Sequence, residues 1–287
     1  MSESTSTEAT EERVIRAHRG LAFVDFGELW RYRELFVFLA WRDILIRYKQ
    51  TVIGVLWAVI QPVMTMLVFT VIFGKLAKLD SGGAPYPLLT LAALLPWQFF
   101  GNAVSQSSNS VVASGHMISK IYFPRLVIPL SAVMSGLLDF GIALILLFLV
   151  MLGYALTGAP VGFHWQLVCL PLFFLQALLA AVAVGLWLSA LNVKYRDVKY
   201  AVPFLLTLGL YVSPVGFMSG VIPAKWRLLY SLNPLVGVID GFRWGVLGPA
   251  FEPYWPGVWL SAAIIILVLV TGAIFFRSTE RGFADYI

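Results

Sequence analysis

Ionisable side chains inside apolar stretches are the first candidates for chemistry in this sequence. Asp139 is the one carboxylate placed well inside such a stretch, residues 126–152. A charge at membrane depth faces neighbouring helices or a hydrated cavity. Asp139 is therefore a candidate intramembrane polar residue. It either touches a hydrated path or pairs with a helix terminus, or it serves helix packing and assembly.

The other reactive residue types form no catalytic constellation. His18, His116 and His164 lie in different segments, and the single cysteine, Cys169, lies in an apolar run. The sequence contains no G-x-x-x-x-G-K-[ST] phosphate cradle, no G-x-S-x-G, no HExxH and no paired cysteines. We therefore predict no catalytic, cofactor-binding or metal-binding residues and no enzyme activity on this chain.

Composition and patterning indicate the elements that must position these residues. Of the 287 residues, 60% are hydrophobic and 12% are charged, whereas a soluble domain has about 25% charged residues. Six apolar stretches are long enough to cross a bilayer as helices. We predict an all-α membrane protein with six transmembrane helices at about 52–74, 86–104, 126–152, 167–191, 201–222 and 257–276.

The distribution of Lys and Arg predicts the orientation of these spans. With the N-terminus inside, the cytoplasmic segments contain fifteen Lys and Arg residues and the outside segments contain five. Short cytoplasmic loops collect these residues, so both termini are predicted to be cytoplasmic. Residues 1–27 form a polar tail without the apolar region of a signal peptide. We predict that this tail is disordered.

The segment before the first span has the pattern of an interfacial helix. Trp41, Ile44, Leu45 and Tyr48 share one helical face, and basic residues beside them reach toward lipid headgroups. The alternative interpretation is that these charges only set the topology of the first span. The candidate residues of this junction are Trp41, Arg42, Asp43, Arg47, Tyr48 and Lys49.

Two predicted cytoplasmic loops are candidate docking surfaces for a soluble partner. The loop at 105–125 is expected to carry a short surface helix from Val111 to Ile121, and the loop at 192–200 carries an Arg-Asp pair. The alternatives are an ordinary solvated loop and a simple positive-inside loop. The docking candidates are His116, Lys120, Arg125, Arg196 and Asp197.

Residues 223–256 are too charged for a span and too apolar for a plain loop. Asn233-Pro234 is a turn signal that divides the segment into two short helices. Broken backbone at membrane depth survives inside protein or along a wet cavity. We predict a re-entrant or outer-surface gate between spans five and six, with an amphipathic external loop as the alternative.

Three stretches together resemble the ABC-2 type export permeases for polysaccharides and polyol phosphates. They are WRDILIRYKQTVIGVLWAVIQP, LNVKYRDVKYAVPFLLTLGLYVSPVGF and NPLVGVIDGFRWGVLG, and the similarity covers about residues 28–287. The resemblance implies a 28–287 transmembrane domain with a cytoplasmic N-terminal interfacial helix and external gate helices. The gate candidates are Pro214, Asn233, Pro234 and Arg243.

The resemblance also implies partners and a function. It implies a homodimer with two copies of a separate ATPase that binds ATP and Mg, membrane lipids around it, and no nucleic acid. The expected function is export of a lipid-linked glycan, such as O-antigen or capsule, across the inner membrane. The alternatives are an ABC-2 permease for a smaller lipid or drug, and a membrane transferase acting on lipid-linked sugars.

Overall fold

The computed structural model describes residues 26–49, 52–118, 120, 122–159, 161–280 and 282–283, so most of the predicted tail at 1–27 lies outside the described residues. The described part contains α-helices joined by short 3-10 and π-helical turns, and no strand. The α-helices are α1 Phe26–Arg31, α2 Arg33–Tyr48, α3 Val52–Phe69, α4 Tyr86–Ala113, α5 Gly115–Ile118, α6 Val127–Met134, α7 Leu137–Leu156, α8 Leu170–Lys194, α9 Val198–Val212, α10 Ala224–Tyr230, α11 Pro234–Leu247 and α12 Trp255–Glu280.

Helix α4 is the centre of the bundle. It contacts α3, α6, α7, α8, α9 and α11, and most of its residues are buried. Pro96 lies inside α4, yet the helix continues past it to Ala113. Neighbouring helices in a membrane bundle tolerate such a proline because they surround and satisfy the freed backbone.

Small residues bring α4 and α8 into close contact. A Cβ atom at Gly185 would lie 2.6 Å from the Ser107 hydroxyl, so this crossing needs glycine. Nearby, Asn192 Nδ2 donates to the Ser108 carbonyl oxygen at 2.8 Å. Small side chains and interhelical hydrogen bonds replace the hydrophobic effect as the source of helix association in lipid.

Five helical segments are long and apolar enough to cross a membrane, which confirms the all-α membrane class. They are Leu56–Leu76, Tyr86–Ala113, Val127–Leu156, Trp165–Lys194 and Trp255–Glu280. The fifth predicted span, 201–222, differs. Its helix, α9, ends at Val212 and is shorter than the other spans. The chain becomes extended at Ser213, directly before Pro214, because a residue that precedes proline disfavours the helical conformation.

Two further segments differ from the predicted layout. Residues 105–113, predicted as part of a loop, continue α4, because one side of this stretch, with Ser107, Ser108 and Val111, is buried against other helices. The third predicted span is interrupted: α6 ends at Met134 and α7 begins at Leu137, with Ser135 and Gly136 between them. Asp139 consequently lies in the first turn of α7.

The bundle has two ends, which we call the proximal and the distal face. The proximal face carries α1, α2, α5, the loop at 195–197 and the end of α12. A second apolar cluster lies beneath it, formed by residues such as Val111, Phe123 and Phe276. The distal face carries the loop at 77–85, α10 and the loop at 248–254.

Candidate functional site

Helix α2 lies on the proximal face with one side on the bundle. Leu39 and Ala40 are buried, and the helix packs mainly against α6. Its outer side carries an exposed apolar stripe, namely Trp30 of the preceding helix, Val37, Phe38, Trp41 and Leu45. A stripe of this kind is typical of a helix that lies at a membrane surface.

The C-terminal end of α2 holds the partner of Asp139. Arg47 Nη1 donates to Asp139 Oδ2, and the Tyr48 hydroxyl donates to Asp139 Oδ1. Burial, together with the Asp139 carboxylate, raises the pKa of Tyr48, so its hydroxyl stays a neutral donor. We call these three residues the clasp. The side chains of Arg47 and Asp139 are 34% and 23% exposed, so the clasp is partly solvated.

A polar cavity lies beside the clasp, between α2, the end of α4 and α6. Its volume is about 330 Å³, and Arg42, Asp43, Gln106 and Ser131 are among its lining residues. Arg42 Nη2 and Asp43 Oδ1 lie 2.7 Å apart within α2. This pair belongs to α2 alone, whereas the clasp joins two elements that are far apart in sequence.

The predicted docking residues fall into two groups on the proximal face. His116 in α5, Lys120, Arg196 and Asp197 are all exposed. Both loops follow long helices that lie side by side, since Asn192 near the end of α8 bonds to α4. The four residues therefore share one face of the molecule.

Arg125 belongs to a different group, because it is engaged within the chain. Its Nη1 donates to the Glu280 carbonyl oxygen, and its backbone N–H donates to Glu280 Oε1 at 3.2 Å. Arg277 lies 3.4 Å from Glu280 Oε2 and 3.7 Å from Glu28 Oε2. These contacts, which we call the C-terminal tie, join α1, the loop before α6 and the end of α12.

At the distal end, side chains hold the extended backbone that follows α9. Arg243 Nη2 donates to the Val215 carbonyl at 2.9 Å and its Nη1 to the Phe217 carbonyl at 2.8 Å, and Tyr86 donates to the Gly216 carbonyl. The same group includes Tyr230 Oη, 2.7 Å from the Val212 carbonyl, and Asn233 Nδ2, 2.9 Å from Ser213 Oγ. We call these contacts the carbonyl anchor. They supply the partners that non-helical backbone inside a bundle requires.

Helix α11 brings Arg243 to the anchor, and glycines allow its close approach to α8 and α12. A Cβ at Gly241 would lie 2.0 Å from the Phe173 ring, and one at Gly237 would lie 2.7 Å from Ser261. The helix begins with a cap, because Asn233 Oδ1 accepts from the Leu235 N–H at 3.0 Å. Arg243 is 0% exposed and keeps its charge, since burial lowers its pKa only to about 10.

The carbonyl anchor borders a distal cavity of about 410 Å³. Asp240 lines it and is 2% exposed, and its Oδ1 has no hydrogen-bond partner among the described residues. Burial raises the pKa of Asp240 to about 6, against the opposing effects of a hydrogen bond with Ser219 and the charges of Arg243 and Arg227.

The structure brings the predicted gate residues together and adds others that sequence reasoning missed. Pro214 lies within the extended segment that the anchor holds. Asn233 bonds to Ser213 directly before it, and Arg243 bonds to Val215 directly after it. Tyr86 and Asp240 were not predicted. Asp240 had a signal, since it is a carboxylate one helical turn before Arg243 on an otherwise apolar helix. For Tyr86, the sequence offered no such signal beyond its position at the end of a predicted span.

The outward faces of α3 and α9 are mostly apolar but carry polar groups. Gln61 is exposed near the middle of the first span. Helix α9 presents a row of exposed side chains at helical spacing, Tyr200, Phe204, Thr207 and Tyr211. Polar groups on an outward face of a membrane helix are expensive in lipid, so these faces suit contact with protein or with a polar path.

The long apolar helices, the amphipathic surface helix and the side-chain-held break before the last span define a multi-pass membrane protein of the transporter type. Among the described residues there is no group of three or more His, Cys, Asp or Glu placed to hold a metal ion. The ABC-2 type transporter family matches residues 34–247. Because this match covers most of the chain, the protein belongs to the ABC-2 type transporter family.

Individual relatives match along almost their whole length. The chain is 28% identical to the "O-antigen export system permease protein RfbA" of Myxococcus xanthus, over 91% of this chain and 98% of the relative. It is 26% identical to the protein of the same name from Klebsiella pneumoniae, over 88% and 95%. It is 23% identical to the "Polysialic acid transport protein KpsM" of Escherichia coli, over 84% and 92%.

Proposed function

We propose that this chain is the membrane subunit of an ATP-driven ABC exporter that moves a lipid-linked polysaccharide across the cytoplasmic membrane. The observation that carries the proposal is the similarity to permeases named for O-antigen export. The matches cover most of this chain and nearly the whole of each relative. A relative named for polysialic acid transport supports the same substrate class. The chain is a permease, and ATP and Mg are bound by a separate ATPase.

The proposed topology has six spans, with α9 and the extended segment after it as the fifth. Helix α9 alone is too short for a bilayer core of about 30 Å, and residues 213–218 complete the crossing inside the protein. Both termini are cytoplasmic, so the proximal face is the cytoplasmic face. The excess of Lys and Arg on that face supports this orientation.

The glycan path is proposed to lie between two copies of this chain. One copy leaves no wide opening through its own centre, because α4 fills it. The outward faces of α3 and α9 would line the path, where Gln61 and Thr207 meet polar sugar groups. The exposed rings of Tyr200, Phe204 and Tyr211 offer apolar faces, and the two tyrosines add hydroxyl groups. Such a surface permits weak, repeated contacts.

Two ATPase subunits are proposed to dock on the proximal face at His116, Lys120, Arg196 and Asp197. These side chains are exposed, and the residues that follow His116 in α5 belong to the same apolar cluster as α1 and the start of α2. Movement of the ATPases would push α2, and the clasp would pass the displacement to α7. Such coupling requires two discrete arrangements with different contacts. Arg125 contributes through the C-terminal tie rather than as a contact residue.

Helices α10 and α11 are proposed to form an external gate. Pro214, Asn233, Pro234 and Arg243 would keep the gate in register with the fifth span through the carbonyl anchor. Two other functions remain alternatives: export of a smaller lipid or drug by the same family, and transfer chemistry on lipid-linked sugars. The relatives' names favour the polysaccharide, and the scattered acid and base residues argue against the transferase.

Deletion of the gene tests the substrate. The expected result is loss of surface polysaccharide with accumulation of the lipid-linked polymer in the cytoplasm, restored by the wild-type chain. Unchanged surface polysaccharide would reject the proposed substrate. Altered lipid or drug efflux in that strain would favour the first alternative.

Charge reversal tests the docking surface. Lys120→Glu and Arg196→Glu should reduce co-purification of the ATPase and export by at least severalfold, because interface charges set the encounter with a partner. Lys78→Glu, an exposed charge in the loop at 77–85 on the distal face, is the matched control. If ATPase association and export both stay intact, the docking assignment of that residue is wrong.

A further inference from the structure

The distal cavity has no role in the function proposed above. Its walls come from the loop at 77–85, the turn at 218–220, α10, α11 and the loop at 250–254. Gly82, Gly220 and Glu252 at its rim are exposed, so it opens outward. Its volume of about 410 Å³ lies in the range of small-molecule sites, about 300–1,000 Å³.

The cavity contains a carboxylate oxygen that lacks a partner. Asp240 is buried, yet no described residue donates to its Oδ1. Buried polar groups in folded proteins are nearly always hydrogen-bonded, and a charged one without a partner is costly. The residue lines the cavity, whereas this oxygen is covered. A small shift of the Asp240 side chain would let a ligand hydroxyl or amide in the cavity donate to it.

The charges around the cavity select against small ions. Two carboxylates, Asp240 and Glu252, disfavour an anion. Arg227 disfavours a cation, since its guanidinium lines the same space and is fixed by bonds from Nε to the Ile222 carbonyl and from Nη2 to the Gly220 carbonyl. A ligand without net charge but rich in hydroxyl groups fits this balance.

The remaining walls include three aromatic rings. Tyr230, Phe251 and Tyr254 line the cavity alongside the polar groups. The Tyr230 hydroxyl donates to the Val212 carbonyl, so its oxygen still accepts a hydrogen bond. Apolar faces beside a few convergent polar groups match a pyranose ring, which presents C–H groups on its faces and hydroxyls at its edge.

We infer that the distal cavity binds one sugar ring of the transported glycan, with Asp240 accepting from a ring hydroxyl. The inference rests on the proposed function for its substrate class and adds a site in each protomer, apart from the path between protomers. Helices α10 and α11 contribute residues to both the cavity and the carbonyl anchor. Binding of glycan in the cavity would therefore be coupled to the position of the gate.

The binding test uses the full-length chain in lipid nanodiscs and three probes: methyl α-mannopyranoside, methyl β-galactopyranoside and methyl N-acetyl-β-glucosaminide. Saturation-transfer NMR should show saturable binding of at least one probe, with a dissociation constant in the millimolar range. Asp240→Asn should weaken that binding by about tenfold, and Tyr254→Ala should weaken it further. Asp43→Asn, in the proximal cavity, is the matched control and should leave it unchanged.

Two results would overturn the inference: no saturable binding of any probe, or binding that Asp240→Asn leaves unchanged. An export assay in the deletion strain separates this failure from that of the proposed function. If the wild-type chain restores surface polysaccharide while no probe binds, the cavity assignment is wrong and the proposed function stands. If the wild-type chain restores no polysaccharide, the proposed function fails, whatever the probes do.

Discussion

The clasp and the carbonyl anchor both fix a helix through an arginine, but they do so in opposite environments. Arg47 in the clasp donates to a carboxylate and remains 34% exposed, whereas Arg243 in the anchor is 0% exposed and donates its hydrogen bonds to backbone carbonyls. A partly solvated ion pair contributes little stability and separates easily. A buried arginine with several carbonyl partners is costly to disturb. The proximal contact is thus expected to be the weaker of the two and the distal contact the stronger.

The largest expected effect comes from removing the arginine of the anchor. In Arg243→Met the carbonyls of Val215 and Phe217 lose their donors, and each buried unpaired group costs about 1–3 kcal/mol. We expect a severe loss of monodisperse protein in detergent and a lower Tm, with partial recovery in Arg243→Lys. Lys225→Met, on the same face but exposed, is the control. A Tm equal to that of wild type would remove the distinction between the two regions.

The second effect is a pH dependence specific to the distal end. Because the pKa of Asp240 is raised in the folded state, from 3.8 to about 6, its contribution to stability is lost as pH rises through that interval. The Asp240→Asn variant has no carboxyl group to ionise at this position, so it does not undergo this loss of stability. We expect the variant to gain up to roughly 3 kcal/mol on wild type between pH 4 and pH 7, measured as a rising Tm difference. Glu252→Gln, exposed at the rim of the same cavity, should show no such rise.

A matched pair of substitutions compares the two regions with the same chemical change. Tyr86→Phe removes the donor to the Gly216 carbonyl, and Tyr48→Phe removes the donor to Asp139. We expect a cost of about 1 kcal/mol for the first and about half as much for the second, because Asp139 is partly solvated. Thermal unfolding of both variants in one detergent measures the difference. Equal or reversed costs would contradict the contrast.

The smallest effect on stability, with a larger effect on transport, is expected at the clasp. Asp139→Asn should change stability by less than about 1 kcal/mol while export falls several-fold, since α2 would no longer pull on α7. The exchanged pair Arg47→Asp with Asp139→Arg should recover part of the export. Asp43→Asn breaks an ion pair within α2 itself and is the control. Full export in Asp139→Asn would show that the clasp transmits nothing.

The sequence was most informative where one helix face or one dipeptide decides the structure. Hydropathy predicted five of the long helices, and Asn233-Pro234 predicted the break between α10 and α11. Of the gate candidates, Asn233 and Pro234 were predicted from turn chemistry, which acts locally, and Asn233 caps α11. Pro214 and Arg243 were expected from the resemblance.

Contacts between residues that are distant in sequence could not be predicted. Asp139 was singled out as costly, but its partners lie 91 and 92 positions away, and several basic residues were equally available. The loop boundary at 104 was wrong for the same reason. The polar run Ser105–Ser110 reads as solvated, and only its packing against α6 and α8 makes it helical. Arg125 likewise looked like a surface charge until the end of α12 was placed beside it.

The interruption at Ser135 and Gly136 divides one membrane crossing into two pieces, and α2 contacts both of them. It packs along α6, and its Arg47 bonds to Asp139 at the start of α7. The surface helix therefore bridges the two pieces of this crossing. Any displacement of α2 would act on both pieces at once.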